Sequence, residues 1–402
     1  MSPPMSPPIS GARRLTVAIG LGQTLSWATS FYLPAIVAGA AAASLGASRT
    51  EILGGFSWAL LVNSVCAPRI GRHIDRAGGR MVLALGSVTL AAGLAVLAAA
   101  GNLAAWYAGW TVMGLGMALS LYDAAFATIG RLLGTAATPA ITGVTLFAGF
   151  ASTLGWPAGA VLIGRYGWRA TLLCYAALQL AVIFPAMLLA IPRALPAAAS
   201  RPAPQSGAAG AGRGHAGTLA CLSGFFTLRW FLTSGLAVFA LPLLRGNGLS
   251  AGQAVFAAAL IGPGQVLGRL LEWGVGRRFG LLARARVAAA VMPASVLLLL
   301  LPGPVAACGF ALGYGMSNGI LTINRGTLPL ALFGPAGYAA LLGWLAVPVL
   351  LAQAAAPTLL APLLAVLSGR AVFLLIAAVG SVAALLLLPL RLPLRLPSVG
   401  DG

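Results

Sequence analysis

The sequence predicts an all-α membrane protein whose helices cross the bilayer twelve times. Hydrophobic residues make up 60% of the 402 residues and charged residues only 7%, with a mean hydropathy of +0.97, far outside the range of soluble domains. The apolar residues form runs of about 20, the length that a helix needs to cross a bilayer. Each run should be helical, because a backbone in lipid must satisfy its own hydrogen bonds.

The predicted spans follow one another with short Arg-, Gly- and Pro-rich connections. In chain order they are 15–43, 51–70, 81–100, 103–130, 139–163, 169–191, 218–244, 251–273, 286–302, 305–330, 338–366 and 371–390. The most polar stretch, 193–217, is rich in Ala, Gly, Pro and Ser and is typical of a flexible linker. We therefore divide the chain into a bundle over 1–192, a cytoplasmic linker over 193–217 and a bundle over 218–402.

The arginines predict the orientation. All 24 basic residues are Arg, and most stand at the ends of apolar runs, as in the cytoplasmic loops of membrane proteins and unlike a nucleic-acid-binding face. With both termini in the cytoplasm, the inside segments hold 17 of them, counting Arg269 at the end of the eighth span, and the outside segments hold five. We expect a multi-pass protein of the inner (plasma) membrane, a monomer that meets lipid and binds no nucleic acid.

The two bundles carry a sequence repeat. The pattern Gly71-x-x-x-Asp75 returns as Gly268-x-x-x-Glu272, and GLGM at 114–117 returns as GYGM at 313–316, with offsets of 197 and 199. Single Gly and Pro residues recur at an offset of 200, as at Gly143 and Gly343. A nearly constant offset at several places indicates two related six-helix units.

The segment GRHIDRAGGR, residues 71–80, resembles the loop signature of the major facilitator superfamily, G-x-x-x-D-R/K-x-G-R/K-R/K. Gly79 stands where that signature has a basic residue, and the second copy has Trp273 at another basic position. The residues of this chain that carry the resemblance are Gly71, Asp75, Arg76, Gly78 and Arg80. Together with twelve spans and a 6+6 repeat, the resemblance implies the major facilitator fold, with two pseudo-symmetric six-helix bundles.

The resemblance also implies a role for this loop as a gate between the bundles. In the family, the equivalent Asp and basic residues form a cytoplasmic charge network that holds the outward-facing state. Asp75 can lie at the N-terminus of a helix of the other bundle, where an anion is favoured, and Arg131 is its expected partner in the gate. The alternative is that Arg72, Arg76 and Arg80 only set the topology.

Three charges lie inside predicted spans: Asp123, Arg229 and Arg325. Charges at membrane depth usually face a cavity or a partner, and the resemblance implies that helices 1, 4, 7 and 10 line a central cavity. Two Arg and one Asp favour an anionic substrate, with Arg229 or Arg325 as the carboxylate clamp. Asp123 either pairs with the other Arg or takes up a proton during the cycle. The alternative makes one Arg a structural partner of Asp123, or lets it snorkel towards the cytoplasm.

Polar and aromatic residues on helices 1 and 10 complete the expected binding site. Gln23, Trp27 and Tyr32 on helix 1 offer hydrogen bonds and an aromatic wall, and Tyr314 and Asn318 stand one turn apart on helix 10. Gln179, Gln265 and Gln353 are interpreted as helix-to-helix hydrogen bonds.

The leading functional hypothesis is a secondary active transporter that moves a small organic anion by alternating access, with proton coupling through Asp123. Uniport and exchange leave the same sequence pattern. The alternative is an exporter of drug-like or toxic compounds, including a metalloid exporter that uses the four cysteines. A membrane enzyme or a receptor on the same scaffold is disfavoured, because the sequence has no catalytic constellation, no metal-ligand spacing and no GxxxxGK[ST] loop. We expect no cofactor, no metal and no enzymatic activity.

Overall fold

The computed structural model describes residues 9–193, 208–274 and 276–392, and within these ranges the chain is helical with no strand. The first bundle contains nine α-helices: α1 (Ile9–Thr29), α2 (Pro34–Leu45), α3 (Arg49–Ala77), α4 (Arg80–Ala99), α5 (Leu103–Ser120), α6 (Tyr122–Leu133), α7 (Ala137–Ala148), α8 (Ala151–Leu178) and α9 (Phe184–Ala190). The second contains seven: α10 (Ala208–Gly246), α11 (Ala251–Ala259), α12 (Ile261–Gly274), α13 (Leu281–Leu297), α14 (Pro304–Phe333), α15 (Tyr338–Val366) and α16 (Gly369–Leu385).

Several predicted spans are broken near their middle. The first is α1 followed by α2, the fourth is α5 followed by α6, and the eighth is α11 followed by α12. The fifth begins as α7 and continues into α8, within which Gly167 has a φ of 77° and turns the chain into the sixth span. Such breaks free backbone groups, which neighbouring helices must satisfy.

The start of α10 falls within the segment 193–217 that the sequence assigns to the linker. Helix α10 begins at Ala208, before the expected start of the second bundle at 218. The linker residues 194–207 lie outside the described part of the chain.

Helix α15 joins the two bundles. Its residues Ala346 and Leu350 are buried in an apolar cluster with α3 and α5, and Tyr338 is buried in a second cluster with α4, α6 and α7. These apolar contacts hold the two bundles together by dense van der Waals packing.

Glycines allow the helices of the two bundles to touch. A Cβ at Gly71 in α3 would overlap the Ala339 carbonyl of α15, and a Cβ at Gly343 in α15 would overlap the Ala67 carbonyl of α3. Small residues at such crossings permit close backbone approach in membranes. We call the end of the bundles where α3 ends and α4 begins the Arg-rich face; the crossing at Gly71 closes it.

Candidate functional site

A cavity of about 120 Å³ lies between the two bundles. Both bundles contribute to its wall, and three of its side chains are charged: Asp123, Arg269 and Arg325. The rest of the lining is aromatic, amide, hydroxyl or aliphatic. It consists of Trp27, Phe31, Tyr32, Leu60, Asn63, Met117, Leu121, Tyr122, Ala148, Gly149, Trp230, Thr233, Gln265, Asn318, Thr322, Leu350 and Gln353.

Asp123 and Arg325 form an ion pair that crosses from one bundle to the other. The Arg325 Nε donates to Oδ1 at 3.0 Å and Nη2 donates to Oδ2 at 2.8 Å, which is the two-pronged geometry that Arg and a carboxylate favour. Asp123 stands in the first turn of α6, where the helix dipole favours an anion. The Trp230 ring lies 5.3 Å from the Arg325 guanidinium carbon, so this cation is held from two sides.

Arg269 is the charged residue of the cavity that has no counterion among the described residues. Its side chain belongs to α12 and is only 4% exposed, yet Nε and Nη1 are buried without a hydrogen-bond partner. The guanidinium packs against Gly149 at the break between α7 and α8, where a Cβ would overlap Nη1. A buried cation without a partner is costly, so this position favours an anion.

Arg269, counted in the sequence among the inside arginines at the end of the eighth span, has its side chain on the cavity wall. Helix α12 runs on to Gly274, so Arg269 lies within the span and faces the cavity. The available signal was Gln265, which lines the cavity one turn earlier on the same helix face. That signal could not be used without knowing which face of the eighth span looks inwards.

Arg229 and Tyr314 lie behind the cavity wall, inside the second bundle. Arg229 is 2% exposed; its Nη1 donates to Thr233 at 3.0 Å and its Nη2 to Ser317 at 3.4 Å. The Tyr314 ring lies 5.4 Å from its guanidinium carbon. Thr233 itself lines the cavity, so Arg229 reaches the cavity through this hydroxyl.

The predicted residues of helix 1 form one connected group. Gln23 donates to the Ser120 carbonyl at 2.5 Å, which satisfies a backbone group at the break between α5 and α6. Its Oε1 accepts from the Trp27 indole at 3.2 Å. Trp27 and Tyr32 line the cavity, whereas Gln23 supports them from behind.

Further rings extend this aromatic wall. Trp27 stands 4.7 Å from Tyr122 and 4.8 Å from Phe31, and Tyr32 meets Trp156 edge-on at 5.8 Å, measured between ring centroids. These are the tilted and edge-to-face geometries that aromatic pairs prefer. The wall is therefore a packed, preorganised surface.

The amide residues divide into two groups. Gln179 donates to Thr29 at 2.8 Å and links two helices of the first bundle, in line with its interpretation as a helix contact. Gln265, Gln353 and Asn318 line the cavity instead. The first two were assigned to helix packing, and their position on the cavity wall makes them available to a bound solute.

At the Arg-rich face, Asp75 in the last turn of α3 binds the first turn of α15. Its Oδ1 accepts from the Ala339 N–H at 3.2 Å and its Oδ2 from the Ala340 N–H at 2.8 Å. These N–H groups have no partner inside their own helix, and a carboxylate at a helix N-terminus is electrostatically favoured. The carboxylate of one bundle thus caps a helix of the other.

Arg131 and the glycines hold the Asp75 loop in place. The Arg131 guanidinium donates to the Asp75 carbonyl and, at 3.2 Å, to the Arg76 carbonyl, which are unpaired groups at the C-terminus of α3. Gly78 ends α3 with a φ of 87°, a conformation that side chains disfavour. The loop then passes so close to Thr128 that a Cβ at Gly79 would overlap it, which explains the missing basic residue. Arg80 begins α4, with its Nε buried.

The comparisons with known proteins bear on the fold. No family model matches the chain, and no curated protein matches it by sequence. Among solved structures, the crystal structure of the human organic anion transporter MFSD10 (TETRAN) superposes over 96% of this chain and 100% of its own, with a TM-score of 0.73 and 20% identity. The predicted fold class is confirmed: the chain has the helical membrane architecture of a major facilitator transporter.

Proposed function

Because the chain has the major facilitator fold, we propose that it is a secondary transporter that moves a small organic anion across the membrane by alternating access. The observation that carries this proposal is Arg269, a buried guanidinium on the wall of the central cavity whose Nε and Nη1 have no hydrogen-bond partner among the described residues. The other two charges of the wall neutralise each other in the Asp123–Arg325 pair. The cavity therefore presents a net positive charge, which favours an anionic solute.

The similar human protein is by its name an organic anion transporter. In the present chain, the support for an anionic substrate comes from Arg269 on the cavity wall.

The arrangement of the bundles fits one end state of the transport cycle. The Asp75 cap, the Gly71 crossing and the packing of Tyr338 against Gly130 close the Arg-rich face. By the arginine distribution we assign this face to the cytoplasm. Release of these contacts would open the cavity to that side, with Gly71, Asp75, Arg76, Gly78, Arg80 and Arg131 as the gate.

Asp123 is our proposed proton-coupling residue. Its carboxylate holds Arg325 across the bundles, and protonation would remove the charge that Arg325 binds. The ion pair between the bundles would then break, and the Arg325 guanidinium could bind the substrate. Asp123→Asn should abolish accumulation driven by a pH gradient but leave counter-exchange of labelled substrate in proteoliposomes. Equal loss of both activities would contradict this role.

An exporter of cationic drug-like compounds is the alternative, and the aromatic wall favours it. It requires a free carboxylate in the cavity. Both oxygens of Asp123 are engaged by Arg325, so the present arrangement favours the anion.

The test is uptake of a panel of radiolabelled carboxylates into proteoliposomes, with protein-free liposomes as the blank. Arg269→Ala should lower uptake about tenfold to a hundredfold, since a hydrogen bond to a charged group contributes about 1.5–3 kcal/mol. Arg370→Ala, which removes an exposed arginine away from the cavity, is the matched control and should transport normally. Uptake of no carboxylate, or equal uptake by both variants, would overturn the proposal.

A second variant tests whether the position of the Arg269 guanidinium matters as well as its charge. Gly149→Ala keeps Arg269 but places a methyl group where Nη1 lies. The end of a flexible side chain can move, so the protein should fold while the guanidinium shifts. Uptake should fall as in Arg269→Ala, with the thermal unfolding midpoint nearly unchanged.

A further inference from the structure

We propose that the solute is an aromatic monocarboxylate, with its carboxylate on Arg269 and its ring against the wall formed by Trp27 and Tyr122. This inference rests on the proposed anion transport and names the chemical class of the anion. It follows from three properties of the cavity: one cation on the lining without a counterion among the described residues, a preorganised ring surface, and a pairing of the two other charges of the lining with each other.

The carboxylate position is set by Arg269. Its Nε and Nη1 are unsatisfied, and a guanidinium presents its N–H groups in a fork that matches the two oxygens of a carboxylate. The side chain lies at the break between α7 and α8, held against Gly149. Arg269 and Tyr122 line the same cavity, so the cation and the aromatic wall belong to one site.

The charge count selects a single carboxylate. Asp123 and Arg325 are bound to each other by two hydrogen bonds, and Arg269 is the remaining charged side chain of the lining. Arg229 lies behind Thr233, where it donates to Thr233 and Ser317. The second charge of a dicarboxylate would therefore meet no unpaired cation on the lining itself, which is strongly unfavourable in a poorly hydrated space. A neutral molecule would leave Arg269 unpaired.

The ring position is set by Trp27. Its indole is oriented by the Gln23 amide, which is itself fixed on the Ser120 carbonyl. Trp27 packs 4.7 Å from Tyr122 and 4.8 Å from Phe31 between ring centroids, and all three rings line the cavity. A planar ring gains from edge-to-face and offset contacts with such a surface beyond the area that it buries.

The experiment is isothermal titration of the purified protein in lipid nanodiscs with four related compounds. Benzoate should bind, and cyclohexanecarboxylate, which has the same carbons and charge but no π-system, should bind about twofold to tenfold more weakly. Phthalate, with a second carboxylate, and benzyl alcohol, with none, should bind at least about tenfold more weakly than benzoate.

Variants of the wall distinguish ring recognition from general packing. Trp27→Leu should remove the preference for benzoate over cyclohexanecarboxylate, and Trp27→Phe should keep most of it. Arg269→Ala should lower the affinity for benzoate and for cyclohexanecarboxylate equally, because both carry the carboxylate.

The two proposals fail in different ways. If benzoate and cyclohexanecarboxylate bind equally well and Trp27→Leu changes nothing, the aromatic inference is overturned and anion binding stands. If phthalate binds as well as benzoate, the single-charge argument is overturned. If none of the three carboxylates binds while the Arg269→Ala variant behaves like the unaltered protein, anion transport itself is lost.

Discussion

The two copies of the repeated loop differ in what their carboxylates bind. Asp75, at the end of α3, reaches the other bundle and accepts from the N–H groups of Ala339 and Ala340. Glu272, at the equivalent place in α12, forms an ion pair with Arg284 of its own bundle. The preceding glycines differ in the same way: Gly71 packs against α15 of the other bundle and Gly268 against α14 of its own.

The first turns of α15 and of α7, its counterpart in the first bundle, explain part of this difference between Asp75 and Glu272. At the offset of 200 that relates the repeats, Ala339 corresponds to Pro139 in the first turn of α7. Proline has no backbone N–H, so α7 lacks one of the two donors with which α15 binds Asp75. The repeat therefore places a carboxylate at both loops, but only one helix start can receive it with two hydrogen bonds.

The largest expected effect on closure of the Arg-rich face is that of Gly71→Ala. The methyl group would overlap the Ala339 backbone carbonyl, which cannot move as a side chain can, and overpacking costs about 1–3 kcal/mol. Hydrogen exchange of the first turns of α15 should rise about fivefold or more in nanodiscs. Gly39→Ala is the matched control, because its Cβ meets no atom within 4 Å. Equal exchange in the two variants would show that the crossing does not hold the face closed.

Asp75→Asn should have the next largest effect. The amide keeps one acceptor but loses the charge that favours the start of α15, a contribution of about 0.3–1 kcal/mol that rises to about 2 when partly buried. Exchange at Ala339 and Ala340 should rise about twofold to tenfold. Unchanged exchange there would contradict the cap.

Arg131→Ala should weaken the same contact indirectly. It leaves the Asp75 and Arg76 carbonyls unsatisfied at the end of α3, and each lost hydrogen bond costs about 0.5–1.5 kcal/mol. Exchange should rise most over residues 72–79 and less in α15. Arg165→Ala, at an exposed site, should leave both segments unchanged; a larger rise in α15 than in α3 would show a direct contact with α15.

Glu272→Gln, in the second copy of the loop, should have the smallest effect on closure of the Arg-rich face. It weakens the pair with Arg284 inside the second bundle, at a cost of about 1–3 kcal/mol. The thermal unfolding midpoint should fall by a few degrees, while exchange in α15 stays as in the unaltered protein. A rise like that of Asp75→Asn would show that both loops act across the bundles.

The candidate site was only partly predictable from sequence. Asp123 and Arg325 were recognisable because a charge inside a long apolar run needs a partner or a cavity, and both line the cavity. Arg269 stands near the end of its run, where an arginine is usually a topology signal. For Arg229 the sequence position was misleading in the opposite way. Its depth in the apolar run suggested that it lines the cavity, but it lies on a helix face that points into the second bundle, beside Ser317 and Tyr314.

The helical membrane architecture follows from the sequence alone, because run length and the cost of unsatisfied backbone groups in lipid leave helices as the solution for such runs. The repeat and the position of the Asp75 loop also follow from the sequence, since these are patterns along one chain. Only the tertiary structure decided which charges meet. Partners such as Asp123 and Arg325 lie 202 residues apart, and whether an arginine is paired or free depends on helix rotation and packing between bundles, which hydrophobic runs do not encode. The position of Arg269, with no counterion among the described residues, is therefore a result of packing.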